Sequence, residues 1–415
     1  MKRLLYFLFC FLHSVSSIAQ NDLSVTEGED TVNILPWPAN IQAQLDSLIA
    51  ADPLLKTSQL GLMVYDLTAD STLYALHHQQ SMRPASTMKV VTAVTALNRL
   101  GGDYQLKTSF YYTGMITDRT LTGSLYCVGG MDPMFDKEEL HDLVVRVRQM
   151  GIDTLRGSIV TDCSMKDTLR WGEGWCWDDD NPSLSPLQVG RNPYFKDRLI
   201  SELISAGIII DSLTLFEDRP PLDAIPLHTY KHNIDQLLIR MMKESDNYYA
   251  ECLYYQLAAS FGQRPANASH ARSFEKQLVN QLGLNNDQFR FADGSGLSLY
   301  NYVSPELLTK LLRYARHTPV IYHHLLPSLP IAGQDGTLKK RMKKTSAEGN
   351  VRAKTGTLTG IISLAGYLTA ANGHELCFTI INQGVMSARA ARNFQDKICG
   401  ILCDNYETAM PEVHQ

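Results

Sequence analysis

The apolar and polar positions in the first quarter of the chain predict two strands followed by a helix. Residues 60–66 form a short apolar run typical of a strand, and residues 72–76 have the pattern of a return strand after a short polar turn. Pro84 then introduces a segment with apolar residues at helical spacing, which ends at Gly101. This order of elements predicts a hairpin that leads into a helix.

Patterns of the same kind in the second half predict further helices and a group of three strands. Apolar residues recur at helical spacing in segments 234–257, 305–316 and 388–403. Strand-like apolar runs occupy residues 351–356, 361–370 and 375–382. Asn372-Gly373, between the last two runs, is a strong hairpin signal. We therefore predict an α+β fold, in which helices flank an antiparallel sheet that the N-terminal strands join.

Residues 103–227 differ in character and are predicted to form an inserted, strand-rich domain. They contain many short alternating stretches, a tryptophan-rich loop and several prolines, as expected for strands joined by turns. The insertion divides the main domain, which is predicted at 41–102 and 228–405. Residues 20–40 are polar and acidic and are predicted to form a flexible lead-in, and residues 406–415 form a tail.

The first residues have the pattern of a secretory signal peptide. Lys2 and Arg3 precede a short apolar run, and small residues follow up to Ala19. We predict that residues 1–19 are removed by cleavage after Ala19, and that the protein is secreted into the periplasm. No other stretch approaches the roughly 20 apolar residues of a membrane span, so none is expected in the mature form.

The composition excludes several classes of protein. The chain is 44% hydrophobic and 20% charged with a net charge of −5, as in ordinary globular proteins, so disorder is not expected. No block of lysine and arginine predicts a nucleic-acid partner. No set of cysteine and histidine residues has the spacing of a zinc site, and we expect neither a metal nor a cofactor.

A serine and a lysine at the start of the first predicted helix are candidates for nucleophilic chemistry. Ser86 and Lys89 lie three residues apart, so their side chains share one helix face. A lysine held in a water-poor site can lose its proton and act as a base toward a neighbouring hydroxyl. Ser273 and Lys276 have the same spacing and are interpreted as a solvated helix face, so the pair alone is weak evidence.

A second short motif offers polar groups for catalysis. Ser245-Asp246-Asn247 offers a hydroxyl and a carboxamide from one turn between helices, although such a triplet is usually only a turn or helix cap.

Lys354-Thr355-Gly356-Thr357 places a cation and a hydroxyl on a strand, where they can bind a carboxylate. Gly356 would let a substrate backbone lie close. Such a strand is otherwise an exposed sheet edge that a lysine protects from pairing.

The three motifs together, in this order and on these elements, match a known set. Ser-x-x-Lys, Ser-Asp-Asn and Lys-Thr-Gly are shared by penicillin-binding proteins and class A β-lactamases. The surrounding segments resemble the D-Ala-D-Ala carboxypeptidase/endopeptidase family, the class C, type-4 penicillin-binding proteins of peptidase family S13. These segments are Arg83-Pro84-Ala85, Asp293-Gly294-Ser295-Gly296-Leu297-Ser298, Gly333-Gln334-Asp335-Gly336-Thr337-Leu338 and Leu364-Ala365-Gly366-Tyr367.

The resemblance implies a role for each motif. Ser86 would be acylated and Lys89 would deprotonate it, while Ser245 would relay a proton to the leaving D-alanine. Asn247 would hold the substrate amide. Lys354 and Thr355 of the last motif would bind the terminal carboxylate. The N–H group of Thr357 would form the oxyanion hole together with that of Ser86.

The resemblance to this family also leads to expectations about the inserted domain and the substrate. Gly130-Met131-Asp132-Pro133 resembles the family's inserted domain, and Asp132 is a candidate substrate-binding residue. The insertion is shorter than in the family's larger members, so a single inserted domain is expected. The family often has arginine where Leu299 stands, which puts the grip on a side-chain carboxylate of the stem peptide in doubt.

The expected partners are peptidoglycan stem peptides, with β-lactam antibiotics as covalent inhibitors. The sequence does not separate carboxypeptidase from endopeptidase action. A serine β-lactamase shares the three motifs, but the long insertion argues against it. A non-catalytic wall-binding relative is the other alternative, and the intact set of motifs argues against that.

Overall fold

The computed structural model describes residues 36–179 and 181–404, in which two five-stranded sheets carry the architecture. The signal-peptide prediction and the tail lie outside the described residues, as does most of the lead-in. The strands are β1 (Gln59–Asp66), β2 (Ser71–Leu76), β3 (Gln105–Thr117), β4 (Thr120–Val128), β5 (Thr154–Asp162), β6 (Ile209–Glu217), β7 (Ile225–Asn233), β8 (Arg352–Leu358), β9 (Ile361–Thr369) and β10 (Glu375–Gln383).

Helices cover both sheets. In the described part of the chain they are α1 (Ala39–Ala51), α2 (Met88–Leu100), α3 (Lys137–Gln149), α4 (Phe195–Ser205), α5 (Ile234–Lys243), α6 (Asn247–Ala259), α7 (Ala268–Gln281), α8 (Pro305–His317), α9 (Pro319–Ser328) and α10 (Ala388–Cys403). No helix among the described residues is long and apolar enough to cross a membrane.

The first sheet is antiparallel and joins the two ends of the described chain. Its strand order is β2-β1-β10-β9-β8, and β1 pairs with β10 so that Leu62 lies opposite Ile380. Both faces of β1 are covered: Met63 packs in one hydrophobic cluster with α2 and α6, and Val64 packs in another with α1 and α10. Burial on both faces explains why β1 is a continuous apolar run. The α+β class and the joining of the N-terminal strands are confirmed.

The second sheet lies between α2 and α5 in the chain and has the order β6-β5-β4-β3-β7. Strands β4, β5 and β6 are parallel, and α3 and α4 form the crossovers between them. The segment therefore contains two helices besides the predicted strands. Strand β7 spans the predicted limit between residues 227 and 228, and it pairs with β3 of this second sheet.

The three predicted motifs lie on two turns and one strand. A 3₁₀ turn at Ala85–Thr87 leads into α2, a short turn joins α5 to α6, and β8 is an outer strand of the first sheet. The turn between α5 and α6 divides the predicted helical segment 234–257, because Ser245 has a left-handed backbone with φ +61°.

Candidate active site

Ser86 lies at the entrance to α2, in the 3₁₀ turn Ala85–Thr87. Ala85 adopts φ +48°, a conformation that residues with a Cβ rarely take, and the Thr87 hydroxyl donates to the Pro84 carbonyl at 2.7 Å. Ser86 itself is partly exposed. The serine hydroxyl is therefore accessible at a helix N-terminus, where backbone N–H groups favour negative charge.

Lys89 is fully buried and its ammonium group has three partners. Nζ lies 3.0 Å from Ser86 Oγ, 2.7 Å from Asn247 Oδ1 and 2.7 Å from the Ser295 carbonyl oxygen. Burial lowers the pKa of Lys89 to about 8, although the carboxylates of Asp293 and Glu251 act in the opposite direction. A fraction of Lys89 is therefore neutral near physiological pH and can accept the serine proton.

The Ser245-Asp246-Asn247 turn is held from two sides. The Asp246 carboxylate caps α6 by accepting from the amides of Tyr248 and Tyr249. It also binds Arg191 of the loop before α4, with Nη2 2.5 Å from Oδ1. These contacts fix the turn from which Asn247 meets Lys89 and Ser245 meets Lys354.

Lys354 of β8 forms the opposite wall of the site. Its Nζ donates to Ser245 Oγ at 2.8 Å and to the Thr355 carbonyl at 2.6 Å. Burial, together with the charge of Lys89, holds the pKa of Lys354 well below its usual range. An arriving carboxylate would stabilise the charged form of Lys354, which makes this position suited to an anionic chain end. The Thr355 hydroxyl lies 2.7 Å from that of Thr337, which gives this residue of the Gly-Gln-Asp-Gly-Thr segment a place in the site.

Gly356 is where β8 contacts the serine turn. A Cβ on Gly356 would lie 2.1 Å from Ser363 Oγ, 2.8 Å from the Pro84 carbonyl oxygen and 3.0 Å from the Ser86 nitrogen. The glycine is thus required for close packing between β8 and the serine turn, a role that the sequence analysis did not assign. The next residue, Thr357, is exposed, and Arg392 Nη2 lies 3.3 Å from its hydroxyl.

A loop that the sequence analysis used only as a point of resemblance organises the floor of the site. Asp293 is buried and accepts from the amides of Gly296 and Ser298 and from the indole of Trp175, each at 2.8 Å. These bonds fix the loop so that the Ser295 carbonyl meets Lys89. A backbone carbonyl has no signature in a sequence, which explains why this partner of Lys89 was missed.

Glu251 is a second residue that the sequence analysis missed. It lies on α6, is fully buried, and accepts from the Ser295 amide at 2.8 Å. Burial, with the neighbouring Asp293, raises the pKa of Glu251 to about 8. A lone acid among apolar residues of a helix is the signal that could have identified it.

Asp132 makes no hydrogen bond to the site residues above within the described ranges. Its buried carboxylate accepts from the Met134 amide at 3.0 Å and pairs with the His232 ring at 2.7 Å. The structure therefore brings together Ser86, Lys89, Ser245, Asn247 and Lys354 but does not add the carboxylate of Asp132 to them; its substrate contact stays a prediction. The weak pair Ser273 and Lys276 is exposed on α7, as interpreted.

Comparison with known families shows which family the chain belongs to. The sequence profile of the D-Ala-D-Ala carboxypeptidase 3 (S13) family matches residues 41–192 and 187–404. The chain belongs to this family. The predicted family is thereby confirmed, and so is the enzyme class, a serine-type D-Ala-D-Ala carboxypeptidase.

Relatives in the S13 family match over most of their length. D-alanyl-D-alanine carboxypeptidase DacB of Haemophilus influenzae is 26% identical over 77% of this chain and 84% of its own length. The D-alanyl-D-alanine carboxypeptidase of Actinomadura sp. is 27% identical over 90% of this chain and 86% of its own length.

Solved structures confirm the fold. Penicillin-binding protein 4 from Haemophilus influenzae has a TM-score of 0.79 at 22% identity, covering 85% of this chain and 98% of that chain. A predatory peptidoglycan endopeptidase from Bdellovibrio bacteriovorus has a TM-score of 0.57 at 17% identity, covering 83% of this chain and 92% of that chain.

Proposed function

We propose that this S13 family member hydrolyses D-alanyl peptide bonds of peptidoglycan stem peptides through an acyl-enzyme on Ser86. The observation that carries the proposal is the contact of 3.0 Å between Ser86 Oγ and the buried Nζ of Lys89. Burial keeps the lysine pKa near 8, so a base lies beside an accessible hydroxyl.

Acylation begins when neutral Lys89 takes the proton of Ser86 as Oγ attacks the D-alanyl carbonyl carbon. The tetrahedral oxyanion would be stabilised by the backbone N–H groups of Ser86 and Thr357, which belong to the helix entrance and to β8. Close packing at Gly356 supports this arrangement, because it holds β8 against the serine turn.

Departure of the terminal D-alanine needs a proton and an anchor for its carboxylate. The proton that Lys89 took from Ser86 passes to the leaving nitrogen, and Ser245 Oγ, which lies 2.8 Å from Lys354 Nζ, can relay it. Lys354 and Thr355 would bind the carboxylate, and Asn247 would hold the amide of the acyl part. Water then attacks the ester carbonyl carbon, the bond to Ser86 Oγ breaks, and Oγ takes a proton from the water as the peptide leaves with a new carboxyl end.

β-Lactams would inhibit the enzyme through the same residues. Opening of the lactam ring by Ser86 forms an ester, and the amine that leaves stays attached to the inhibitor and obstructs water. The solved structure of the Haemophilus influenzae protein with a β-lactam supports this proposal by fold similarity.

The proposed place of action is the periplasm. Residues 1–19 have the pattern of a signal peptide, and the substrate lies outside the cytoplasm. Mass spectrometry of the protein from the periplasmic fraction should give an N-terminus at Gln20. An N-terminus at Met1 in that fraction would contradict cleavage after Ala19.

Product analysis tests the proposed reaction. The purified protein should release D-alanine from a pentapeptide ending in D-Ala-D-Ala, and Ser86→Ala should not. Rapid hydrolysis of nitrocefin without release of D-alanine would instead indicate a β-lactamase. Failure of labelled penicillin to acylate the protein would support a non-catalytic wall-binding relative.

Digestion of purified peptidoglycan separates the two peptidase activities. Release of D-alanine alone indicates a carboxypeptidase, and separation of cross-linked peptides indicates an endopeptidase. Leu299 is half-exposed, and its carbonyl accepts from Arg83 at 3.0 Å. We expect weaker discrimination of a side-chain carboxylate on the stem peptide than an arginine at this position would give.

A further inference from the structure

The second sheet carries a large groove away from the Ser86–Lys89 pair. It has a cavity volume of about 1200 Å³ and lies at the carboxyl ends of the parallel strands β5 and β6, beside the start of α4. Ligands of α/β sheets characteristically bind at the carboxyl ends of parallel strands. The volume exceeds that of the usual small-molecule site, about 300 to 1,000 Å³, and is suited to an extended ligand.

Two aromatic side chains stand exposed on the groove. Trp171 is 55% exposed and Tyr194 is 67% exposed, and both line the cavity. Two such rings in one groove provide flat apolar platforms beside polar groups. The apolar face of a pyranose ring packs on such a platform, while its hydroxyl groups reach the surrounding polar atoms.

Polar groups beside the groove lack partners within the described part of the chain. The Thr161 side chain is buried, lines the cavity, and has no hydrogen-bond partner for Oγ1 anywhere in the described part of the chain. No side chain caps the first turn of α4, which leaves its amide groups as donors at the same place. A buried hydroxyl without a partner is costly, so a ligand that pairs with it would bind there preferentially.

The charges in the groove do not favour a strongly anionic ligand. Four basic and five acidic side chains line it, so its sum of charge is close to zero. Lys166 pairs with Asp167 at 2.8 Å and Lys196 with Glu217 at 3.3 Å, which occupies two of the cations. A groove with paired charges and exposed aromatic rings is suited to a polar ligand of low charge density, as a saccharide is.

One loop connects the groove to the catalytic site. Trp175 follows Trp171 by one short turn, and its indole donates to Asp293 at 2.8 Å. Asp293 in turn fixes the loop whose Ser295 carbonyl accepts from Lys89. The loop that carries one wall of the groove therefore also supports the floor of the active site.

We propose that this groove binds the glycan strand to which the stem peptides are attached. The inference rests on the proposed function, because it takes peptidoglycan as the substrate. Trp171 and Tyr194 would stack on sugar rings, and the Thr161 hydroxyl with the first turn of α4 would bind their hydroxyl and acetamido groups. Binding the glycan would hold the enzyme on the polymer while the stem peptide enters the active site.

Titration with glycan oligomers whose lactyl carboxyl groups are simple amides instead of carrying peptides tests the proposal, because these probes are uncharged like the glycan of the substrate. The Ser86→Ala protein should bind them, and adding Trp171→Ala should weaken the affinity at least about tenfold, equivalent to about 1.4 kcal/mol. Trp177→Ala is the matched control: Trp177 is 89% exposed and does not line the groove, so affinity should not change. Thr161→Val should also weaken binding, because it removes the hydroxyl group while the side chain keeps nearly the same shape.

Several outcomes would overturn the glycan site. One is that the Ser86→Ala protein does not bind the oligomers. Another is that Trp171→Ala and Trp177→Ala bind them with equal affinity. A third is that Thr161→Val binds them as tightly as the parent protein. The probe contains no D-alanyl bond, so its binding does not depend on the peptidase reaction. Failure both to release D-alanine from a free pentapeptide and to separate cross-linked peptides would refute the proposed function and leave the binding result standing.

Enzyme kinetics provide a second, independent test of the glycan site. For the enzyme with Ser86 intact, kcat/KM on a glycan-linked stem peptide divided by kcat/KM on the free peptide should fall about tenfold in Trp171→Ala. The ratio should be unchanged in Trp177→Ala. An equal ratio in both variants would contradict a role of the groove in holding the polymer.

Discussion

The protonation state of Lys89 predicts how acylation depends on pH. Burial lowers the pKa of Lys89 to about 8, and only the neutral amine can accept the Ser86 proton. With that pKa, about 1% of the lysine is neutral at pH 6, about 9% at pH 7 and about 50% at pH 8. The acylation rate should therefore rise about 50-fold between pH 6 and pH 8, with a slope of about one in logarithmic units below pH 7.

Acylation by a fluorescent penicillin measures this dependence directly. The second-order rate constant is followed at each pH by quenching the reaction and measuring the labelled protein. Lys276→Met is the matched control, because Lys276 has the same three-residue spacing from a serine but lies exposed on α7. Its pH profile should match that of the unsubstituted protein.

Two results would refute this reasoning. A rate that is flat or falls between pH 6 and pH 8 would show that proton acceptance by Lys89 does not limit acylation. A Lys89→Met variant that keeps the rate and its pH profile would show that another group is the base. The expected loss for Lys89→Met is about 10²- to 10⁴-fold, the usual contribution of a general base.

Three further predictions concern other residues of the site. Gly356→Ala should slow acylation at least tenfold and destabilise the protein by about 1–3 kcal/mol, because its Cβ would lie 2.1 Å from Ser363 Oγ; thermal unfolding and penicillin labelling measure both effects. Lys354→Met should raise KM for a D-Ala-D-Ala pentapeptide at least tenfold, since it removes the proposed carboxylate partner; the same peptide with an amidated end should be much less affected. Asp293→Asn should lower the melting temperature and kcat together, because a carboxamide cannot accept on both sides; circular dichroism and D-alanine release measure them.

Each of these predictions has a control or a contradicting result. Gly400→Ala lies in α10 with no atom within 4 Å of the added Cβ, so it should leave labelling intact and the fold as stable or slightly more stable. Equal losses on the acid and amide peptides would show that Lys354 does not bind the carboxylate. Unchanged kcat in Asp293→Asn would show that the Ser295 loop needs no such support.

Much of the fold could be predicted from local patterns in the sequence. β1 and β9 could be predicted as strands because both faces are buried, which makes each a continuous apolar run. The start of α2 could be predicted from Pro84 and the helical spacing that follows it. The hairpin between β9 and β10 could be predicted from Gly373, whose φ is +85°.

The inserted segment shows where local patterns are insufficient. Strands β4 and β5 are parallel and depend on the crossover helix α3, whose apolar residues Leu140, Leu143, Val144 and Val147 are spaced for a helix within a very polar sequence. Pairing between distant strands is a tertiary property. It also decides where β7 ends and which sheet it joins.

The closeness of Ser86 and Lys89 could be predicted from their spacing of three residues, but Ser273 and Lys276 have the same spacing, so the pair could be called catalytic only together with the other two motifs. The partners could be anticipated only by resemblance, since Ser245 and Lys354 are distant in the chain. The carbonyl of Ser295 and the burial that shifts the pKa of Lys89 depend on packing, which no single motif encodes. Asp132 illustrates the same limit, because its carboxylate pairs with His232.

The central claim is that Ser86 is the acylated nucleophile, and peptide mapping by mass spectrometry tests it most directly. After incubation with penicillin, the intact protein should gain the mass of one antibiotic molecule, and the digest should place the adduct on Ser86. Ser86→Ala should gain no mass while its circular dichroism stays unchanged. An adduct on another residue, or a full mass gain in the Ser86→Ala protein, would contradict the claim.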